Sequence, residues 1–205
     1  MNAMDPRIAG AVILASSTAF FIVKRWTTGS FVKGRPEGGL LLWVAHVFNL
    51  FVLAAVIPAA AILLAARRLE SLDPTIVDPG PGPLHLGLEL SGLLLGLAGA
   101  SLMCWALATM RGHFRVMGAS PRPTDRLLVS GPYVLVRHPM YASALCLSLG
   151  LAVLTQSLAA LALFGAHAGL ILSLITVEEE GLRRAFGQRF AAYQSRVKRL
   201  IPLFY

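Results

Sequence analysis

The run from Tyr141 to Val177 holds 37 residues, and its one stretch of consecutive polar residues is Thr155-Gln156-Ser157. A single helix of that length would rise about 55 Å at 1.5 Å per residue. That is nearly twice the roughly 30 Å of a bilayer's hydrocarbon core. The block therefore has to fold back on itself, and the polar triplet is where it turns. Three more apolar runs precede it, Ile8–Val23, Leu40–Ala66 and Leu84–Met110. Pro58 is placed to kink the second. The expectation is an all-α polytopic membrane protein with about five transmembrane helices, the last two forming a hairpin.

Composition agrees. Of 205 residues, 56% are hydrophobic and 14% charged, with mean hydropathy +0.69. A soluble domain carries nearer 25% charge. These values exclude an ordinary soluble domain, a disordered chain, a collagen and a disulfide scaffold. Cys104 and Cys146 lie within apolar runs and read as packing residues, with no metal-ligand spacing. Ile8–Val23 follows Asp5 and Arg7 and lacks a small-residue cleavage site, so it reads as a retained span.

The net charge of +8 would suggest nucleic acid in a soluble protein. Here the bases flank apolar runs, and an inner membrane surface accounts for them instead. With five spans, 15 of the 18 bases fall on one side. They are Lys24, Arg25, Lys33, Arg35, Arg111, Arg115, Arg122, Arg126, Arg137, Arg183, Arg184, Arg189, Arg196, Lys198 and Arg199. The other side keeps Arg7, Arg67 and Arg68. The positive-inside rule then expects a cytoplasmic C-terminus and an N-terminus on the opposite face. Glu70–Pro83, rich in Asp-Pro and Gly-Pro, reads as a connector on the outer side.

Gly92, Gly96, Gly99 and Ala100 form a small-residue stripe that lets another helix approach closely. Packing within the bundle is the first expectation and a homodimer the second. His46, Asn49 and His167 are polar groups in apolar runs, each expected to hydrogen-bond a neighbouring helix.

Chemistry concentrates in the last third. Gly131-Pro132-Tyr133 and Val136-Arg137-His138-Pro139-Met140-Tyr141 precede the hairpin, and Glu178-Glu179-Glu180 follows it. A hairpin returns the chain to the side it left, so the two clusters should meet at one rim. Pro139 suits the first turn of a helix, with His138 at its cap. That helix start and Arg137 favour a carboxylate. Paired glutamates favour an ammonium. Tyr133 and Tyr141 offer ring faces to a sulfonium or a flat base. S-adenosylmethionine combines all four groups. Interfacial anchoring by Arg137 and His138, with the glutamates as a solvated turn, is the competing reading.

From Glu178 to about Arg199, Leu182, Phe186, Phe190, Tyr193 and Val197 recur at helical steps, with bases between them. This predicts one C-terminal amphipathic helix that lies on the membrane surface or caps a pocket. Gly187 marks a bend within it.

Over about residues 127 to 202 the sequence resembles the isoprenylcysteine carboxyl methyltransferase family and the related membrane phospholipid methyltransferases. Gly131-Pro132-Tyr133, Arg137-His138-Pro139-Met140-Tyr141, Glu178-Glu179, Leu182, Phe186-Gly187, Phe190, Tyr193, Arg199 and Ile201-Pro202 carry the resemblance. It implies an integral membrane enzyme that uses S-adenosylmethionine and releases S-adenosylhomocysteine. Residues 1–110 would supply three transmembrane spans and residues 111–205 the cofactor-binding region, within one integrated membrane domain. Tyr133, Val136, Arg137, His138, Pro139, Tyr141, Glu178 and Glu179 would hold the cofactor. Arg137 and Glu179 would act in catalysis, and Arg199 would meet the substrate. No metal is implied. The acceptor would be lipophilic and enter from the lipid. A prenylcysteine-like carboxylate is the leading candidate, and a phospholipid amine the alternative. An NADPH-dependent reductase of the sterol-reductase kind and a non-catalytic scaffold are the remaining rivals. Two departures stand out. Leu174 replaces an arginine that family members often carry one turn before the paired glutamates, and Val134 replaces one after Gly-Pro-Tyr.

Overall fold

A computed structural model describes residues 4–28, 39–80, 82–110 and 126–202. The bases Lys33, Arg35, Arg111, Arg115 and Arg122 lie outside the described residues. The helices are α1 (Pro6–Thr28), α2 (Leu40–Phe51), α3 (Ile57–Ala65), α4 (Leu69–Leu72), α5 (Pro83–Met110), α6 (Pro139–Thr155), α7 (Leu158–Phe186) and α8 (Gln188–Gln194). Among the described residues there is no strand, and the isolated bridges are Ile76 with Ser157 and Val136 with Lys198. The chain is an all-α polytopic membrane protein.

Four segments are long and apolar enough to cross a membrane: Pro6–Thr27, Leu42–Ala65, Pro83–Met110 and Leu158–Phe186. α6 is shorter, at 17 residues, which is the lower end of what spans a bilayer. Large apolar side chains such as Leu94, Trp105, Leu158 and Leu172 stay exposed on the outer faces of the helices. Exposure of that kind suits a lipid solvent rather than water.

The hairpin breaks where the arithmetic requires. α6 ends at Thr155, Gln156 turns in the left-handed region (φ 53°), and Ser157 caps α7 by accepting the Ala160 N–H at 3.0 Å. The 69–78 segment does more than connect. Asp73 Oδ2 accepts the Ser157 hydroxyl at 2.6 Å, Val77 N–H donates to Gln156 O, and Leu158 N–H donates to Thr75 O. The 69–78 segment is thus stitched to the hairpin tip by main-chain bonds. Hydrogen bonds from Ser157 and Thr75 hold the Asp73 carboxyl below its ordinary pKa range.

Small residues bring α5 and α6 into close contact. A Cβ on Gly92 would lie 2.3 Å from Leu154 N, and one on Gly150 would lie 2.7 Å from Gly96 N. The stripe therefore serves packing within the chain, as expected. It also joins the third span to the hairpin, so α5 belongs structurally with the C-terminal region. α1 approaches α3 in the same way at Gly10, whose Cβ would meet Ala61 O at 2.5 Å.

Pro58 acts on the second span. Its ring would press on the carbonyl four residues earlier, and the preceding turn, Val52–Val56, widens into a π-helix. The span stays continuous while shedding that clash. Beside it, His167 Nε2 pairs with Asn49 Oδ1 at 3.0 Å, and His167 Nδ1 with Ser148 Oγ at 3.2 Å. His167 is wholly buried. These bonds tie α2, α6 and α7 together, which answers the expectation for Asn49 and His167. His46 Nδ1 has no hydrogen-bond partner.

The expected C-terminal helix is divided. α7 runs on past the acidic triplet to Phe186, Gly187 takes φ +50°, and α8 ends at Gln194. The chain then turns back past the start of α6, touching it through an isolated bridge between Val136 and Lys198. Arg137 N–H donates to Lys198 O at 2.7 Å and His138 N–H to Arg199 O at 3.0 Å. Those bonds compete with helix continuation, and they end the helix well before Arg199.

A candidate cofactor site at the hairpin rim

The site is built where the two ends of the hairpin meet. Gly131 (φ +59°) opens a 3₁₀ turn, Gly131–Val134, and sits against Thr109 near the end of α5. The turn buries Tyr133, whose carbonyl accepts the Tyr193 hydroxyl at 2.6 Å. His138 caps α6, its carbonyl accepting the Ala142 N–H, and Pro139 occupies the first helical position. The proline lacks an N–H where the helix has no use for one.

Glu179 is the hub. It is 1% exposed and lies on the inner face of α7. Its Oε1 takes Arg137 Nη2 at 2.7 Å, Arg137 Nε at 2.9 Å and His138 Nε2 at 3.2 Å. Its Oε2 takes Arg199 Nη2 at 2.9 Å, Arg199 Nε at 3.1 Å and Gln194 Nε2 at 3.2 Å. A carboxylate has about four lone-pair sites, so this one is saturated. Two guanidinium charges face it directly. Its geometry is that of an anchor whose acceptors are all in use.

Arg137 is held as firmly. Besides Glu179, its Nη1 donates to Val197 O and to Gln194 O. The guanidinium thereby joins the start of the hairpin, its far end and the C-terminal segment. Val136 is 2% exposed and pairs with Lys198 through the backbone. Arg199, expected at the substrate, directs its guanidinium to Glu179. Glu180 turns outward to Arg183 and Arg184.

Glu178 and Tyr141 differ from these. Glu178 Oε2 and the Tyr141 hydroxyl are buried, neither makes a hydrogen bond of good geometry, and the phenol lies within reach of the Glu178 carboxylate. The Glu178 charge bears on both Tyr141 and Tyr133. Burial, reinforced by that charge, pushes the Tyr133 phenol above its ordinary pKa. Burial pushes Tyr193 up to about 12, against an opposing effect of Arg137. Both phenols are therefore neutral hydrogen-bond donors at physiological pH. The His138 ring lies 5.7 Å from the Tyr141 ring. A phenol donates one hydrogen bond while a carboxylate accepts several, so Glu178 keeps acceptor capacity beyond what Tyr141 supplies. Such a site suits a ligand that brings N–H or O–H donors. Tyr133, His138, Tyr141, Glu178 and Glu179 are thus brought to one rim, as the sequence motifs required.

Sequence reasoning missed Gln194 as a site residue, and the carbonyls of Gln194 and Val197. Carbonyl groups leave no trace in side-chain patterns. The bend at Gly187 was the available signal that the tail turns back.

Comparison with known proteins agrees with this geometry. A 111-residue stretch is 37% identical to the cobalt-zinc-cadmium resistance protein CzcN of Cupriavidus metallidurans, covering 54% of this chain and 49% of that protein. The chain spans about half the length of the curated relative it matches. The family model described as phospholipid methyltransferase matches residues 88–189. That segment contains α5, the Gly131–Tyr141 motif, the hairpin and the glutamates, so through it the chain belongs to the phospholipid methyltransferase family of membrane methyltransferases.

Proposed function

We propose that this protein transfers a methyl group from S-adenosylmethionine to a lipophilic acceptor in the membrane, with the cofactor held at the rim between Tyr133–Tyr141 and Glu178–Glu179. The observation that carries the reading is the buried Glu178 carboxylate facing Tyr141 with acceptor capacity to spare, beside a locked Arg137–His138 end. When bound, the cofactor supplies an electrophilic methyl on sulfur. The protein's share is orientation, exclusion of water and placement of charge. Glu178 accepts donors from the cofactor. His138 and Tyr141 present ring faces, and Glu179 fixes Arg137 and Arg199 in place.

The acceptor follows from what Glu179 is able to do. An oxygen ringed by Arg137, His138, Arg199 and Gln194 is a poor general base. A carboxylate acceptor needs no base, and this favours O-methylation of a prenylcysteine-like carboxylate. A phospholipid amine is the second reading. It is supported by the family name and by Glu178, whose open oxygen is available to take a proton.

The cluster of bases at this end of the bundle supports a cytoplasmic site. Mass spectrometry of lipid extracts incubated with the full chain and an isotope-labelled methyl donor tests the assignment. Labelled methyl esters support the first acceptor and labelled amines the second. Absence of any labelled lipid, with no binding of S-adenosylhomocysteine, contradicts the proposal.

A further inference from the structure

A pocket among the membrane-spanning helices is walled by Ile13 and Phe20 of α1, Leu53 of the second span, Gly96 and Met103 of α5 and Leu151 of α6. Its walls are mostly apolar, and Ser16, which also borders it, donates its hydroxyl to Val12 O at 2.9 Å. Gly96 keeps the space open. A Cβ there would meet nothing within 4 Å, whereas one on Gly92 would strike the α6 backbone. An apolar space offers water too few partners to hold it. Inside a bilayer the natural filler is a hydrocarbon chain.

Two basic side chains lie beyond one end of this pocket. Lys24 follows Phe20 by four positions, one turn along the same face of α1, and its Nζ lies 5.8 Å from the centre of the Phe20 ring. His46 precedes Leu53 by seven positions, about two turns or roughly 10 Å along one face of the second span. The Lys24 charge acts on the His46 ring, so the two helices bring these bases side by side. Both residues are half-buried, and His46 Nδ1 is buried without a hydrogen-bond partner. Such an atom costs free energy until something bonds to it. Depth points the same way. Trp26, 84% exposed, and Trp43, 52% exposed, flank the two bases on the same helices. Tryptophans facing lipid gather at the headgroup level of a bilayer. Lys24 and His46 therefore sit where headgroups sit, and the apolar pocket runs from them toward the bilayer centre.

We propose that Lys24 and His46 seat the acidic headgroup of a membrane lipid whose hydrocarbon chain lies in the pocket beside Gly96. Phosphate oxygens accept from an ammonium and from an imidazole N–H, and His46 thereby gains the partner it lacks within the protein. A zwitterionic lipid brings its own cation toward Lys24, so the seat selects lipids of net negative charge. None of these residues belongs to the Tyr133–Tyr141 or Glu178–Glu179 rim, and the seat does not depend on the methyl-transfer reading.

Native mass spectrometry of the full chain released from nanodiscs of equal parts phosphatidylcholine and phosphatidylglycerol tests this. The wild-type chain should retain phosphatidylglycerol in preference. Lys24→Gln and His46→Gln should each reduce that preference about fivefold, the worth of one basic residue at an anionic surface. Gly96→Leu fills the pocket and should lower retention of the same lipid, which separates a bound lipid chain from a free anion. Arg25→Gln removes an exposed base one position away on α1 and should change nothing. Melting curves check that each variant is folded, and Lys24→Gln, on the lipid-facing edge of the bundle, decides the matter if His46→Gln is not. No preference in the wild-type chain, equal losses in Arg25→Gln and Lys24→Gln, or retention untouched by Gly96→Leu overturns the proposal.

Discussion

Arg137 and Glu179 stand 42 positions apart in the chain, yet the Nη2 of one lies 2.7 Å from the Oε1 of the other. α6 and α7 lie between them, and the hairpin they form is what brings the two side chains together. The ion pair thus closes the loop of chain that makes the site. Both members are nearly buried, with side chains 7% and 2% exposed. Removing either would leave a charge with no solvent and too few partners.

Glu179→Gln should therefore damage the fold as well as the function. Breaking one member of a buried, hydrogen-bonded pair costs about 3–5 kcal/mol. A fall in Tm is expected in detergent, together with a large loss of methyl transfer. Thermal unfolding followed by circular dichroism checks it. An unchanged Tm would show that Arg137 and Arg199 do not depend on this carboxylate.

Glu178→Gln should behave in the opposite sense. Its Oε2 makes no hydrogen bond of good geometry, so removal of the charge should leave stability within about 1 kcal/mol of wild type. Affinity for S-adenosylhomocysteine should fall about tenfold or more. Paired melting and binding measurements separate this outcome from the destabilisation expected of Glu179→Gln.

The glycine stripe gives a position-specific contrast. Gly92→Ala would drive a methyl against the α6 backbone at Leu154, while a Cβ on Gly96 meets nothing within 4 Å. Gly92→Ala should be strongly destabilising. Gly96→Ala should be neutral or stabilising by up to about 1 kcal/mol through helix propensity. Equal effects in the two variants would contradict the α5–α6 packing.

Asp73 should make the far-end cap sensitive to acid. Its folded pKa lies below the ordinary aspartate value because Ser157 and Thr75 donate to it. A depressed folded pKa stabilises fully above the unfolded value and loses that contribution as pH falls through the folded one. The stability difference between wild type and Asp73→Asn should therefore be constant above about pH 5 and shrink below pH 4. Urea unfolding across that range measures it. A difference that grows on acidification would reverse the sign.

The parts legible in the sequence are those that follow from length and side-chain type. The excess of the Tyr141–Val177 run over a bilayer's thickness dictated a turn, and Thr155-Gln156-Ser157 located it. Arg137, His138 and the glutamates were recognisable because charged groups beside an apolar run need partners. The role of Glu179 as an anchor was hidden, since saturation depends on Gln194 and Arg199 arriving from a tail that reverses direction. That reversal is held by carbonyls of Val197, Lys198 and Arg199, and every residue type carries the same carbonyl. The tie between Asp73 and Ser157 was equally hidden. A Pro- and Gly-rich loop shows that the chain turns without showing what it touches. The π turn at Val52–Val56 needed both Pro58 and a packed bundle that keeps the span straight.

The central claim is that the two ends of the hairpin together make a cofactor site. Isothermal titration of S-adenosylhomocysteine into the full chain in nanodiscs tests it most directly, with wild type, Glu178→Gln and His138→Ala compared. One site per chain is expected, weakened at least tenfold by each substitution, one from either end of the hairpin. Wild-type affinity in both variants, or no binding to the wild-type chain, would contradict it.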